Sequence, residues 1–433
     1  MAELGAENGS KFIFGGWDGA ELAAKFGTPL YVYSEEAIRS RCREARETFM
    51  ERWDDSLAVY AGKAFLTTAM CKIVASEGLG LDVVSGGELH TAMEAGFPME
   101  RVFFHGNGKT DEELRLAVGA GVGRIVADGP SELARIEAAS RLSGKRTAVL
   151  MRVTPGVDAD THKYIQTGHT GSKFGFPLSE GVLADEVGRY RDAEFLDLKG
   201  FHFHIGSQIF ENKSHVMSVK ILVKTMAELA RSQGFQTREL NMGGGFGVEF
   251  DPRKKSPSLA SFTDPMMETL TAVCREEGIP VPGTFIEPGR WIVSEAGATL
   301  YTVQEVKKTR GITYAAVDGG MTDNPRPALY GAKYHAHFPG KMDIPRSETV
   351  TIAGKCCESG DIIIENLKSP PLERGDLVAV LNTGAYTFSM ASNYNRLPRP
   401  AAVLVSPGRA DVIAERQTWD DLVRWDRVPG HLR

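Results

Sequence analysis

Several short stretches of this chain carry side chains suited to chemistry. In YAGKAF (60–65), Lys63 ends a short apolar run among small residues. Desolvation there would lower its pKa and free the amine for attack, whereas the ordinary alternative is a solvated lysine at a strand end. GGGFG (243–247) leaves backbone N–H groups bare and lets an anion approach closely; otherwise it is a tight turn. EPGR (287–290) fixes Glu287 and Arg290 around Pro288 and Gly289. Arg290 there can bond an anion, and Glu287 a cation. FHFHIGSQ (201–208) sets His202 and His204 two apart, which on a strand means one face. Such a pair can hold zinc. The neighbouring stretches bring lysine, glycine and arginine instead of further ligands, with His105 the nearest candidate, so no metal is expected.

These stretches have to be positioned by regular elements. Short apolar runs recur as LAVYAG (57–62), LDVVS (81–85), RVFFH (101–105), RIVAD (124–128), TAVLMRV (147–153), KGFHFHI (199–205), RELNMG (238–243) and TFIEP (284–288). Stretches with helical periodicity, such as DEELRLAVGAG, separate most of them; Asp111 can cap that helix, and Gly119 and Gly121 mark its end. Strand alternating with helix implies parallel pairing, and eight units imply a (β/α)8 TIM barrel. In such barrels the site lies at the C-terminal strand ends. The first end offers Lys63, the sixth FHFHIGSQ, the seventh GGGFG and the eighth EPGR. Phosphate sites commonly follow strands seven and eight, which favours the cradle reading of GGGFG. The 156–175 segment reads as an ordered loop whose glycines permit movement over a substrate.

After about residue 295, strand-like segments (LYTVQEV, TYAAVD, TVTIAG, DLVAVL, AAVLV, ADVIAE) follow one another without long helices. They imply a mostly antiparallel β domain. TPLYVYS (28–34) is expected to pair with that sheet, giving a barrel over 36–293 and a discontinuous β domain of 1–35 plus 294–433.

Composition narrows the function classes. Over 433 residues the hydrophobic fraction is 42% and the charged fraction 24%, ordinary for a globular chain able to bury a large core. With a net charge of −6 and no basic stripe, a nucleic-acid partner is not expected. No run approaches the ~20 apolar residues of a membrane span. MAELGAENGSKF lacks the basic head and apolar stretch of a signal peptide, and the five cysteines are an odd set, so a reducing, cytoplasmic setting is expected. Of these, Cys356 and Cys357 lack a companion pair at zinc-finger spacing.

One cofactor uses a lysine, a phosphate cradle, an aromatic platform and a carboxylate together: pyridoxal 5′-phosphate. Lysine holds its aldehyde, glycines its phosphate, a flat ring such as His204 its face, and Glu287 its pyridine nitrogen. With these residues in view, the sequence resembles the fold-type III pyridoxal-phosphate-dependent decarboxylases, the alanine racemase-like fold, and among them the diaminopimelate decarboxylases. The motifs are YAGKAF, LDVVSGGEL, HFHIGSQ, GGGFG, EPGR, RPALYGA, CESGD and TGAY, in order along nearly the whole chain.

The resemblance implies roles. Lys63 would be the Schiff-base lysine, and His204 would stack on the ring. Ser207, Gly244, Gly245, Pro288, Gly289 and Arg290 would surround the cofactor with Glu287. Arg290, Arg326 and Tyr330 would bind substrate carboxylate, with Tyr386 touching cofactor and substrate. Cys357 would be the proton donor and Glu358 would hold the distal ammonium, both reaching the site of a partner subunit in a homodimer. The implied reaction converts meso-2,6-diaminopimelate to L-lysine and CO2. Relatives acting on ornithine, lysine or carboxynorspermidine are the nearest rivals. A racemase of this fold would carry arginine where Glu287 stands, and a non-catalytic homologue would not need Lys63, Cys357 and Glu358 together. Gly62, Phe65 and Gly108 depart from the usual pattern, which bears on fine specificity.

Overall fold

The eight apolar runs close into a ring. The computed structural model describes residues 6–157, 173–178, 181–251 and 254–433, so residues 158–172 of the expected 156–175 loop lie outside the described residues. The chain divides into two units: Arg39–Val248 with Ser256–Ile292, and Met1–Ile38 with Glu249–Lys255 and Val293–Arg433.

The first unit is the barrel. Its strands are β1 (Ser56–Ala61), β2 (Gly80–Val83), β3 (Val102–Phe104), β4 (Arg124–Ala127), β5 (Thr147–Thr154), β6 (Leu196–His202), β7 (Glu239–Asn241) and β8 (Gly283–Ile286). Every neighbouring pair is parallel, and β8 returns to β1 with Phe285 opposite Leu57. Being buried on both faces, these strands read as continuous apolar runs, which is why they are visible in the sequence.

The interior is layered by the period of two along each strand. Val59, Phe103, Val126, Leu150 and Phe285 form an apolar cluster inside the ring. Two residues nearer the N-terminal end, Arg124 pairs with Glu239 through two hydrogen bonds of 2.7 and 2.8 Å, and its guanidinium lies 5.7 and 5.9 Å from the Phe103 and Phe285 ring centres. Two residues nearer the C-terminal end, four of these five positions become His105, Asp128, Arg152 and Glu287, and the fifth is Ala61. The pleat therefore switches the lining from apolar to charged in one step.

The helix Asp111–Ala120 is capped by Thr110, not Asp111. Thr110 Oγ1 accepts the Glu113 N–H at 3.2 Å while the Glu113 carboxylate accepts the Thr110 N–H at 2.8 Å. That reciprocal box needs the acid three residues on, which fixes the cap at Thr110. Gly121 ends the helix in the left-handed region, with Gly119 inside it.

The second unit is built around Gly297–Thr309. It pairs antiparallel with Leu30–Ser34, Ile312–Val317 and Leu377–Leu381. Leu30–Ser34 also pairs, in parallel, with Ala401–Ser406. Alternate residues of the central strand enter different clusters, Ala298 and Leu300 with Phe12, Leu30 and Val403, Tyr301 and Val303 with Val350, Ile352 and Val380. Both faces of this sheet are therefore covered. Three features of this unit are not among the expected strands: Ile362–Ser369, the two-residue strand Ala336–His337, and a three-stranded sheet of Ala6–Asn8, Lys11–Phe14 and Trp17–Asp18. IIIENLKS opens apolar and turns polar, so neither alternation nor a continuous run marks it. Among the described residues, no helix is long and apolar enough to cross a membrane.

Candidate active site

The charged layer converges on Glu287, just past the end of β8 and 5% exposed. His105 Nε2 lies 2.8 Å from Oε1, Asn241 Nδ2 donates to Oε1 at 2.7 Å, and His202 Nε2 lies 3.3 Å from Oε2. Burial pushes the carboxyl up, but His105 and His202 beside it outweigh that and hold Glu287 well below its ordinary value. Burial likewise takes His202 down to about 3, so this imidazole is neutral and donates through Nε2. Asp82 is the opposite case. Its oxygens are buried without a hydrogen-bond partner, the nearest cation-forming group is His105 at 3.9 Å, and burial raises its pKa with Glu287 reinforcing the shift. The two neighbouring carboxylates are thus pushed in opposite directions, Glu287 toward its ionised form and Asp82 toward its protonated one. By type and spacing, His105, His202 and Glu287 would also suit a metal ion, their donor atoms lying within 4.8 Å of one another.

His202 and His204 do not share a strand face as expected. β6 stops at His202, whose ring turns to Glu287, whereas His204 Nδ1 accepts the Gly244 N–H at 3.2 Å. Burial, with Lys63 and Arg152 adding to it, holds His204 well below its usual value, a neutral ring.

The glycine run is locked in place by its neighbours. A Cβ at Gly244 would stand 2.1 Å from the Glu287 carbonyl, and one at Gly245 would stand 2.2 Å from that of Gly206. Gly245 also has φ +97°, a conformation that L side chains rarely adopt. So GGGFG, FHFHIGSQ and EPGR approach too closely for any other residue. Ile209 donates to the Gly245 carbonyl at 2.9 Å, and Glu287 N–H to that of Gly243 at 2.8 Å. Arg290, buried, donates to Ser207 Oγ through Nε at 3.4 Å and Nη2 at 3.2 Å. Pro288 contributes its carbonyl, which accepts the Ala61 N–H at 3.3 Å, and a Cβ at Gly289 would stand 2.9 Å from that of Ala61. This ties EPGR to the end of β1, where Lys63 sits half-buried in the turn Gly62–Ala64. Gly62 is required here, since its Cβ would come within 2.8 Å of the Asp82 carbonyl.

In the other unit, Asp361 anchors CESGD. Buried, it accepts the Met321 and Cys356 N–H groups at 2.7 and 2.8 Å. Cys356 is packed inside, its thiol pushed up to about 12 by burial and Asp361. The next residues turn outward: Cys357 and Glu358 are exposed, with the Cys357 N–H on Asn395 Oδ1 at 2.7 Å. Arg326 is 6% exposed, and among the described residues no carboxylate lies within 4 Å of it and its Nε has no partner. Its guanidinium lies 5.1 Å from the Tyr330 ring and 5.5 Å from that of Tyr386. Tyr386 itself holds φ +60°, a strained conformation for a bulky side chain.

Within each unit, then, residues singled out from the sequence do come together: Lys63, His204, Ser207, Gly244, Gly245, Glu287, Pro288, Gly289 and Arg290 at the barrel rim, Arg326, Tyr330 and Tyr386 in the second unit. His105 was singled out only as a metal candidate, and Asp82, Asn241 and Arg152 not at all. The signal that finds His105 and Arg152 is the two-residue step beyond the apolar interior layer.

A parallel barrel with a lysine after its first strand, an ionised carboxylate after its eighth and a glycine cradle after its seventh defines a pyridoxal-phosphate enzyme of the barrel class. Residues 35–294 match the family described as "Pyridoxal-dependent decarboxylase, pyridoxal binding domain". The chain is 45% identical to diaminopimelate decarboxylase of Bacillus subtilis (strain 168) over 413 residues, 95% of this chain and 94% of that one. The structure of diaminopimelate decarboxylase from M. jannaschii in co-complex with L-lysine superposes with a TM-score of 0.93 at 33% identity, covering 100% of this chain and 99% of that one. That from Helicobacter pylori complexed with L-lysine gives 0.85 at 30% identity, over 94% and 98%. The chain belongs to the diaminopimelate decarboxylase family.

Proposed function

We propose that this protein decarboxylates meso-2,6-diaminopimelate to L-lysine and CO2 with pyridoxal 5′-phosphate, the last step of lysine biosynthesis. The observation that carries the substrate choice is Arg326, a buried guanidinium without a carboxylate partner among the described residues. A buried cation needs an anion, and diaminopimelate offers a second carboxylate that ornithine and lysine lack.

The residues present fit the cofactor. Glu287 is ionised, with its donors already in place, and the close-packed glycines leave the Gly245 N–H without a partner among the described residues. Lys63 would bond the aldehyde, His204 flank the ring, and Ser207, Gly244, Gly245, Gly289 and Arg290 hold the phosphate. Bound there, the cofactor supplies an electron sink for the bond that breaks. Glu287 keeps a proton on the ring nitrogen. Arg290 would hold carboxylate at the barrel rim; in the second unit Arg326 and Tyr330 would hold carboxylate, with Tyr386 beside Arg326, and Glu358 would take the distal ammonium. Cys357 Sγ delivers a proton to the substrate carbon after CO2 departs.

In this reading Cys357 and Glu358 serve the site of a partner subunit in a homodimer. Their exposure on a loop anchored by Asp361 supports that assignment. A cytoplasmic setting completes the reading, supported by five cysteines that are all free. The test is CO2 release from meso-diaminopimelate, ornithine and lysine offered separately. Release from diaminopimelate is expected, and rapid release from ornithine alone overturns the substrate choice.

A further inference from the structure

One buried histidine stands outside every role assigned so far. His215, in the first turn of the helix Lys213–Gln233, is fully buried, with Nε2 3.1 Å from the Gly244 carbonyl oxygen. Its ring stacks on Phe246 at 5.7 Å and 25°, and Phe246 packs in turn on Phe262 at 5.2 Å. A carbonyl oxygen only accepts, so Nε2 carries the hydrogen. Nδ1 is left bare, buried and without a partner among the described residues. Burial lowers the pKa of this imidazole, which keeps it neutral.

The bonded carbonyl belongs to the Gly244–Gly245 peptide. A trans peptide is planar, with its C=O and N–H pointing opposite ways. Fixing the carbonyl toward His215 therefore aims the Gly245 N–H away from His215, and that N–H donates to no described residue. Glycine on both sides of the peptide supplies no side chain to hold the plane, and free rotation is what glycine otherwise allows. The flanking contacts hold the Gly244 N–H, on His204, and the Gly245 carbonyl, on the Ile209 N–H. His215 holds the plane between them.

We propose that His215 is a positioning residue for the cofactor phosphate, pinning the Gly244–Gly245 peptide so that the Gly245 N–H is presented to the anion. This rests on the reading of GGGFG as the phosphate cradle. Removing the pin leaves the donor in the chain but lets its direction wander, so recognition of phosphate weakens and recognition of the ring does not.

The test compares the affinity of the cofactor-stripped enzyme for pyridoxal 5′-phosphate with that for pyridoxal, which lacks the phosphate. In His215→Asn the amide falls short of the carbonyl, and the preference for the phosphorylated ligand should drop about tenfold. In His215→Gln the amide nitrogen takes the place of Nε2, and most of the preference should return. A role in packing alone would not separate these two variants, so an unchanged preference in His215→Asn, or equal losses in both, overturns the proposal. Gly245→Ala is the control on the underlying reading. If it leaves the preference intact, the cradle assignment falls and takes this inference with it. If it abolishes the preference while His215→Asn does not, only the role of His215 falls. Nitrogen-15 spectra of the unmodified holoenzyme give an answer independent of any variant: His215 must carry its hydrogen on Nε2, and a hydrogen on Nδ1 refutes the pin.

Discussion

His105 places Nε2 2.8 Å from Oε1 of Glu287, and with His202 it draws this carboxyl well below its ordinary value. Asp82, 3.9 Å from the same nitrogen, is the one whose pKa rises. Glu287→Gln keeps the shape and removes the charge. We expect kcat to fall about 10²-fold or more while cofactor affinity changes little, because the loss is electrostatic. Steady-state kinetics with a cofactor titration check this; undiminished kcat would remove Glu287 from the chemistry.

Lys63→Ala and Cys357→Ala should each be inactive alone. Co-expressed, they should recover roughly a quarter of normal activity, since half of random dimers are mixed and each mixed dimer holds one intact site if sites are shared. Activity assays on the purified mixture decide it, and absence of recovery counts against a donor supplied by the partner subunit.

Burial pushes the Glu88 carboxyl from 4.5 up to about 7, against the Val84 N–H bond and Lys63. Between those values the folded chain keeps a proton that the unfolded chain has lost, so this group makes stability fall as pH rises through the window and level off above it. Glu88→Gln lacks that slope. Its melting temperature relative to the parent should climb from pH 4.5 to 7 and then stay constant. A constant offset at every pH would contradict the assignment.

The pair Arg124–Glu239 belongs to the opposite end of the barrel interior. Glu239→Ala leaves a guanidinium against two aromatic rings with no counter-charge and should cost about 3 kcal/mol. Arg124→Leu combined with it should recover much of that. Urea unfolding measures both, and the affinity for pyridoxal phosphate should not move in either.

The barrel strands were legible because burial on both faces writes them as apolar runs, and part of the rim followed because the first, sixth, seventh and eighth runs lead into Lys63, FHFHIGSQ, GGGFG and EPGR. The supports of Glu287 were not, since His105, His202 and Asn241 come from three other strands and only closure of the ring brings them together. The departures from the usual family pattern have local physical reasons. Gly62 has no room for a Cβ beside Asp82, while Gly108, at φ +70° with nothing within 4 Å, takes a conformation that asparagine also tolerates. Phe65 is fully buried and its carbonyl accepts the Tyr60 hydroxyl at 2.7 Å, so it belongs to the core below the site. The cap of Asp111–Ala120 falls on Thr110, one residue before the expected Asp111, because Thr110 has Glu113 three residues on to complete the reciprocal box.

The stepwise change in the barrel lining has a practical reach. Because durability and reactivity occupy separate storeys of one cylinder, the upper storey is open to redesign: new rim residues could be installed above Val59, Phe103, Val126, Leu150 and Phe285 without dismantling the floor that keeps the ring closed.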